Sequence, residues 1–331
     1  MAKNRYYNSS LTHHTPDGFC NTEPLTIKRQ DVRKWSLDRF KNKYPHAPKA
    51  GYDDFFATWW QEADFSDLTD GVWWLGHSTS LIRVNNITIL TDPVFSYRAS
   101  PVRFLGPKRR TPAAAKVEQL PHIDAIVISH DHYDHLDYPS IKKLLARFPD
   151  VQFFVPLGMK AWCLKQGVKN VIELDWWQNT EFKQIEFTFV PARHWTQRSL
   201  FSKNRVLWGG WFIRSPQQTV YFMGDTGYSP TLQTISQRLG PIDIALIPIG
   251  AYAPRWFMKN QHIDPYEAVQ LFQELQCKKA IAIHWGAFEL ADEPIDEPPE
   301  LLTQALEKQK LTNELFLLLK IGGKYSIDDK N

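Results

Sequence analysis

The stretch AIVISHDHYDH, residues 125–135, decides how this chain is read. Its first half is a short apolar, β-branched run of the kind that forms a buried strand. Its second half holds His130, Asp131, His132, Asp134 and His135 within six residues. So many imidazoles and carboxylates at a strand end are costly to bury unpaired, and a bound dication removes that cost. Imidazole nitrogen and carboxylate oxygen are good zinc ligands. Loops at the carboxyl ends of strands are also where α/β folds carry their sites. The plain alternative is a solvated polar turn.

Working outward, the same pattern recurs three times. FTFVPARH ends at His194, TVYFMGD at Asp225 and AIAIH at His284. Each is an apolar run followed closely by a ligand-type residue. Taken singly, each reads as well as a satisfied polar residue at a strand end. Taken with the 130–135 loop, they read as one metal-binding constellation.

Further β-branched runs fall at 80–84, 87–91, 152–155 and 244–248, with helical patterns at 139–147, 265–276 and 299–308. There is no internal repeat and no low-complexity tract. Strands mixed with helices predict an α/β catalytic domain over residues 71–331. Residues 1–70 form an amino-terminal extension, lipid-facing or packed on the core, of which 1–50 are polar and basic with a helix near 29–40. Within it, YDDFFATWWQEAD (52–64) puts Phe55, Phe56, Trp59 and Trp60 on one helical face, suited to core packing or to lipid.

Composition narrows the classes. The chain has 331 residues, enough for a large core, and a net charge of +3, too small to point to a nucleic-acid partner. Its three cysteines have no CxxC spacing, which argues against a disulfide framework and for a reducing compartment. MAKNRYYNSS lacks an apolar signal region, and no window approaches the ~20 apolar residues of a spanning helix. These features predict a cytoplasmic protein, touching a membrane only peripherally if at all. Thirteen tryptophans are many for this length, and serve either an aromatic core or an apolar pocket. There is no GxSxG nucleophile motif.

HDHYDH fits the HxHxDH signature of the metallo-β-lactamase superfamily, and the later His, Asp and His follow in that superfamily's order. The resemblance implies an αβ/βα sandwich of two mixed β-sheets flanked by helices. The segments TDPVFSYRASPVRFLGPKRR, VIELDWW, GDTGY and GAYAPRWFMKNQHIDP closely resemble the N-acyl-phosphatidylethanolamine-hydrolysing phospholipase D family over most of residues 72–300. That resemblance implies two zinc ions per chain. One would be held by His130, His132 and His194, the other by Asp134, His135 and His284, with Asp225 bridging. It also implies a phospholipid substrate, cleaved by metal-bound hydroxide to phosphatidate and (N-acyl)ethanolamine, and allows a homodimer.

His262 precedes Asp264, Pro265 and Glu267, which read as a capping box at a helix start. It is assigned a catalytic, phosphate-contacting role alongside Asp134, with a loop-capping histidine as the alternative. His77 and Asp92 are read as supports rather than ligands. Lys108–Arg110 suits anionic headgroups or a solvated loop, and Trp195, Trp256 and Trp285 suit an acyl groove or ordinary packing. Two rivals remain. One keeps the metals but acts on a soluble phosphodiester, cyclic phosphate or lactone. The other is a metal-stabilised binding protein without turnover.

Overall fold

The computed structural model describes residues 4–25, 27–102 and 104–327. Of the stretches read above, residues 1–3, 26, 103 and 328–331 lie outside these.

Two seven-stranded sheets pair off the apolar runs. The first runs, edge to edge, Lys324–Ser326, Gly71–Gly76, Thr79–Val84, Ile87–Thr91, Ala125–Val127, Gln152–Pro156 and Asn170–Leu174. The second runs Asn179–Phe182, Ile185–Pro191, Gly209–Arg214, Thr219–Phe222, Ile244–Pro248, Lys279–Ile283 and Phe316–Leu317. Each sheet is part antiparallel and part parallel. With helices such as Tyr138–Arg147 and Pro265–Glu274 flanking them, this is the expected αβ/βα sandwich. Phe154 of the first sheet stacks on Phe187 of the second with centroids 4.1 Å apart, and Trp211 tilts against it at 6.2 Å. These buried rings fill the space between the sheets.

The pairing directions decide where chemistry can sit. Gly71–Gly76, Ile87–Thr91 and Ala125–Val127 point the same way, because two antiparallel steps followed by a parallel step restore the direction. By the same logic Ile185–Pro191, Thr219–Phe222, Ile244–Pro248 and Lys279–Ile283 share a direction. Each sheet therefore gathers the carboxyl ends of these strands along one edge. His77, Asp92, His130, His194, Asp225 and His284 all lie at or just beyond such ends.

Several tryptophans explain their abundance here. Trp74 Nε1 donates to His77 O at 2.8 Å, Trp211 Nε1 to Ile128 O at 2.8 Å and Trp208 Nε1 to Ala192 O at 3.0 Å. A buried indole must place its N–H, and these place it on carbonyls just before or within the ligand-bearing loops. Trp285 is buried too, against Trp74, Trp59 and Phe55, so it belongs to the core and not to a groove. The aromatic helical face thus divides. In Tyr52–Trp59, Phe55 and Trp59 point inward, while Phe56 stacks on Trp60 at 4.8 Å toward the outside.

The amino-terminal helix runs Arg29–Asn42, two residues beyond the expected end. Before it lies a strap with a small hairpin, His14–Thr15 against Gly18–Phe19. His13 and His14 both reach Asp175, at 2.7 and 2.8 Å. The basic run is also taken up by the fold. Arg109 is buried and donates to Val94 O and Ser96 O, Arg110 pairs with Glu289 at 2.6 Å, and only Lys108 is exposed.

Candidate metal centre

The loop after Ala125–Val127 is braced before any ligand is considered. Asp92 accepts from Ser129 N at 2.7 Å, from Ser129 Oγ at 2.5 Å and from His135 Nδ1 at 2.6 Å. Ser129 Oγ in turn meets His130 Nδ1 at 2.9 Å. Gly224, at φ +65°, lets the loop carrying Asp225 come in close, since a Cβ there would sit 2.8 Å from Ser129 Cβ.

These braces settle which nitrogen of each ring faces inward. His130, His135 and His194 engage Ser129, Asp92 and Gln261 O through Nδ1, and turn Nε2 toward the centre. His132 instead brings Nδ1 to 2.9 Å from His130 Nε2 and 3.2 Å from His194 Nε2. Asp225 Oδ2 lies 3.2 Å from His135 Nε2, 3.7 Å from His194 Nε2 and 3.9 Å from His130 Nε2, and its Oδ1 lies 3.0 Å from His284 Nε2. Asp134 Oδ2 is 3.0 Å from His77 Nε2, 3.3 Å from His135 Nε2 and 3.6 Å from His284 Nε2. All seven residues chosen from sequence as ligands come together. Two of the groups they form match the expected sets: His130, His132 and His194, and Asp134, His135 and His284 joined by His77; two others overlap them, Asp92 with His130 and His135, and Asp225 with His194 and His262.

The donor set fits divalent metal. Nε2 of His135 and His284 and Oδ1 of Asp225 are buried and form no hydrogen bond, meeting only other members of the cluster at ion-pair distance, a costly state that a cation resolves. Ligands at zinc distances of 2.0–2.1 Å in tetrahedral array stand about 3.3 Å apart, close to the spacings found here. The electrostatics divide the histidines. Burial works against charge on Asp225 and Asp134, yet the neighbouring histidines outweigh it and hold both carboxyls well below their usual range. Burial keeps His132 down at about 3 and His194 at about 4, leaving lone pairs free. His284 goes the other way, up to about 9, because Asp225 and Asp134 overcome its burial.

His262 stands beside this cluster, its Nδ1 buried, unpartnered and 3.9 Å from Asp225 Oδ2. The capping box is present, with Glu267 N donating to Asp264 Oδ1 at 2.9 Å. Arg255 pairs with both capping carboxylates, at 3.2 and 2.6 Å, and so offsets their negative charge at that helix end. The place of His262 beside Asp225 adds to the case for it. Trp195 lines the cleft over the cluster, whereas Trp256 is half exposed outside it. Sequence reasoning passed over Gln261, whose carbonyl meets His194 and whose Oε1 accepts from Trp195 Nε1 at 2.6 Å. Its only sequence signal is adjacency to His262.

Comparison with known proteins gives the family. A family model described as the beta-lactamase superfamily domain matches residues 87–285. N-acyl-phosphatidylethanolamine-hydrolyzing phospholipase D 1 of Caenorhabditis elegans is 40% identical over 272 residues, 78% of this chain and 76% of that protein. The mitochondrial enzyme of that name from Saccharomyces cerevisiae is 36% identical over 241 residues, 71% of this chain and 51% of the yeast protein. Among solved structures, a possible metal-dependent hydrolase from Veillonella parvula superposes with a TM-score of 0.65 at 16% identity, covering 78% of this chain and 100% of that one. The chain belongs to the metallo-β-lactamase superfamily and is a metal-dependent hydrolase, similar in sequence to the N-acyl-phosphatidylethanolamine-hydrolysing phospholipases D.

Proposed function

We propose that the chain is a phosphodiesterase of phospholipase D type that holds two zinc ions. Its substrate on this reading is N-acyl-phosphatidylethanolamine or a related phospholipid, and its products are phosphatidate and (N-acyl)ethanolamine. The lining of the cleft carries the reading. The cleft encloses about 540 Å³, with His132, Asp134, His194, Asp225 and His262 reaching it. Apolar residues also line it, among them Val32, Trp35, Leu200, Phe257 and Leu290. A polar floor beneath apolar walls suits an amphiphile whose phosphate reaches the bottom while its chains lie along the sides. Arg29 and Lys203 also line the cleft and favour an anionic headgroup.

On this reading His130, His132 and His194 hold one ion, Asp134, His135 and His284 the other, and Asp225 reaches both. When bound, the pair supplies acidified water and positive charge for the phosphoryl oxygens. Asp134, tied to His77, accepts a hydrogen bond from the attacking water and aims it at phosphorus. His262 donates from its unpartnered Nδ1 to a phosphoryl oxygen. The phosphorus–headgroup oxygen bond breaks. The water oxygen stays on phosphatidate, and the ethanolamine oxygen leaves with a proton.

No helix among the described residues is long and apolar enough to cross a membrane. Leu200 lines the cleft and Phe201 follows it in sequence; 86% and 82% exposed, they offer apolar contact to a lipid surface. One experiment tests the reading. Purified protein, analysed for metal, is incubated with lipid and soluble phosphodiesters and the products are identified by mass spectrometry. Two zinc per chain and (N-acyl)ethanolamine release from lipid are expected. Turnover confined to soluble diesters would sink the lipid assignment.

A further inference from the structure

The amino-terminal strap reaches the metal centre through one side chain. Asn21 Nδ2 donates to His194 O at 2.8 Å, and Asn21 Oδ1 accepts from His194 N at 3.1 Å. The same Oδ1 accepts from Trp208 Nε1 at 3.0 Å. A carboxamide offers a donor and an acceptor side by side, as a peptide group does. Asn21 therefore pairs with the His194 main chain as a neighbouring strand would. This matters because His194 lies beyond the end of its own strand, Ile185–Pro191.

Asn21 is held from both directions along the strap. Upstream, His13 and His14 bind Asp175, and Phe19 N donates to Asn204 O at 2.8 Å. Gly18 packs so tightly that a Cβ there would sit 2.1 Å from Asn204 O. Downstream, Glu23 accepts from Ser229 Oγ at 2.6 Å and Thr231 Oγ1 at 2.9 Å. The strap is thus pinned where it meets His194, and does not merely lie across it.

We propose that Asn21 is a positioning residue for the metal centre. It fixes the His194 backbone while Gln261 O takes the ring's Nδ1, and the two together aim Nε2 at the cluster. A group that orients a metal histidine is typically worth about 10- to 100-fold in metal affinity or activity. The inference rests on His194 being a ligand, as proposed above.

The test is zinc affinity, read by competition against a chromophoric chelator on full-length protein stripped of metal and reloaded. Asn21→Ala should weaken chiefly one of the two zinc equivalents, by about 10- to 100-fold. Asn21→Ser should fall between it and the parent, because one hydroxyl does not bridge both backbone groups. His194→Ala should lose that equivalent outright. Parent-like zinc binding in Asn21→Ala, beside a loss in His194→Ala, would overturn the positioning role. Parent-like binding in His194→Ala would instead overturn the ligand assignment. Equal weakening of both equivalents in Asn21→Ala would mark a general loosening of the fold and also count against the proposal. If Asn21→Ala does not fold, Asn21→Ser decides by the same criteria.

Discussion

The cluster of His13, His14 and Asp175 and the cluster around Asp225 use the same side-chain types, and both bring ligand atoms within 4.8 Å of one another. They differ in what is left over. In the strap cluster His13 Nε2 and His14 Nε2 each meet one oxygen of Asp175, His14 Nδ1 lies 2.9 Å from Tyr6 O, and the His13 ring stacks on Trp176 at 4.4 Å. None of the three leaves a buried side-chain nitrogen or oxygen unpartnered. Around Asp225, nitrogens of His135, His262 and His284 and an oxygen of Asp225 itself form no hydrogen bond and meet only other members of the cluster. Proximity of histidine and aspartate is therefore a weak sign of a metal site, and unspent bonding capacity is the stronger one. On the proposed assignment the strap cluster is a latch, and the Asp225 cluster is a receptor for cations.

The largest effect that can break this contrast comes from Asp225→Asn. Removing the carboxylate shared by both groups should cost metal as well as activity. The loss should exceed the roughly hundredfold upper range for groups that only support a ligand. Metal analysis and kinetics on one preparation check it, and retention of both ions with near-normal turnover would end the bridging role.

His262→Ala should come next, lowering kcat about a hundred- to a thousandfold while both ions stay bound, as for loss of a donor to transition-state charge. Loss of an ion would make His262 a ligand, and unchanged kinetics would make it a loop residue. Asp92→Asn should be milder, weakening metal binding by about 10- to 100-fold, because His135 and Ser129 lose a charged acceptor but no ligand is removed. Chelator competition would show it.

Asp175→Asn sharpens the comparison from the other side. Metal content and turnover of metal-saturated protein should hold, while hydrogen bonding to a charged group worth about 1.5–3 kcal/mol is lost from stability. Burial pushes the Asp175 carboxyl up, but His13 outweighs it and holds it below its ordinary value of 3.8. The latch's stabilisation is thus full above that value and disappears as pH falls through the lower folded value. Melting curves of the parent and Asp175→Asn should converge across that window. A drop in zinc content in this variant would mean that the latch is itself a metal site.

The sequence shows the site more clearly than it shows the scaffold. His130, His194, Asp225 and His284 are legible because each follows an apolar run that is buried whatever its partner. Asn179–Phe182 and Lys324–Ser326 are polar and short, and become strands only because Ile185–Pro191 and Gly71–Gly76 offer them ladder edges. Gly209–Arg214 opens with two glycines that look like a turn. They are required because a Cβ at Gly209 would meet Val190 O at 2.3 Å. The closeness of His77 to Asp134 and the contact of Asn21 with His194 depend on distant segments meeting, so no local pattern announces them.

The gathering of strand ends along one edge of each sheet has a consequence for synthesis. On the proposed assignment, each ion takes ligands from both sheets: His130 and His132 with His194, and Asp134 and His135 with His284. A growing chain that has just released the 130–135 loop owns only part of either set. The second ion's set is complete only when His284 emerges, after most of the second sheet has been made. Capture of the second ion would then be a late event that ties the 130–135 loop of the first sheet to the second sheet. Metal-depleted protein should show faster amide exchange at the seam between the sheets than within either one.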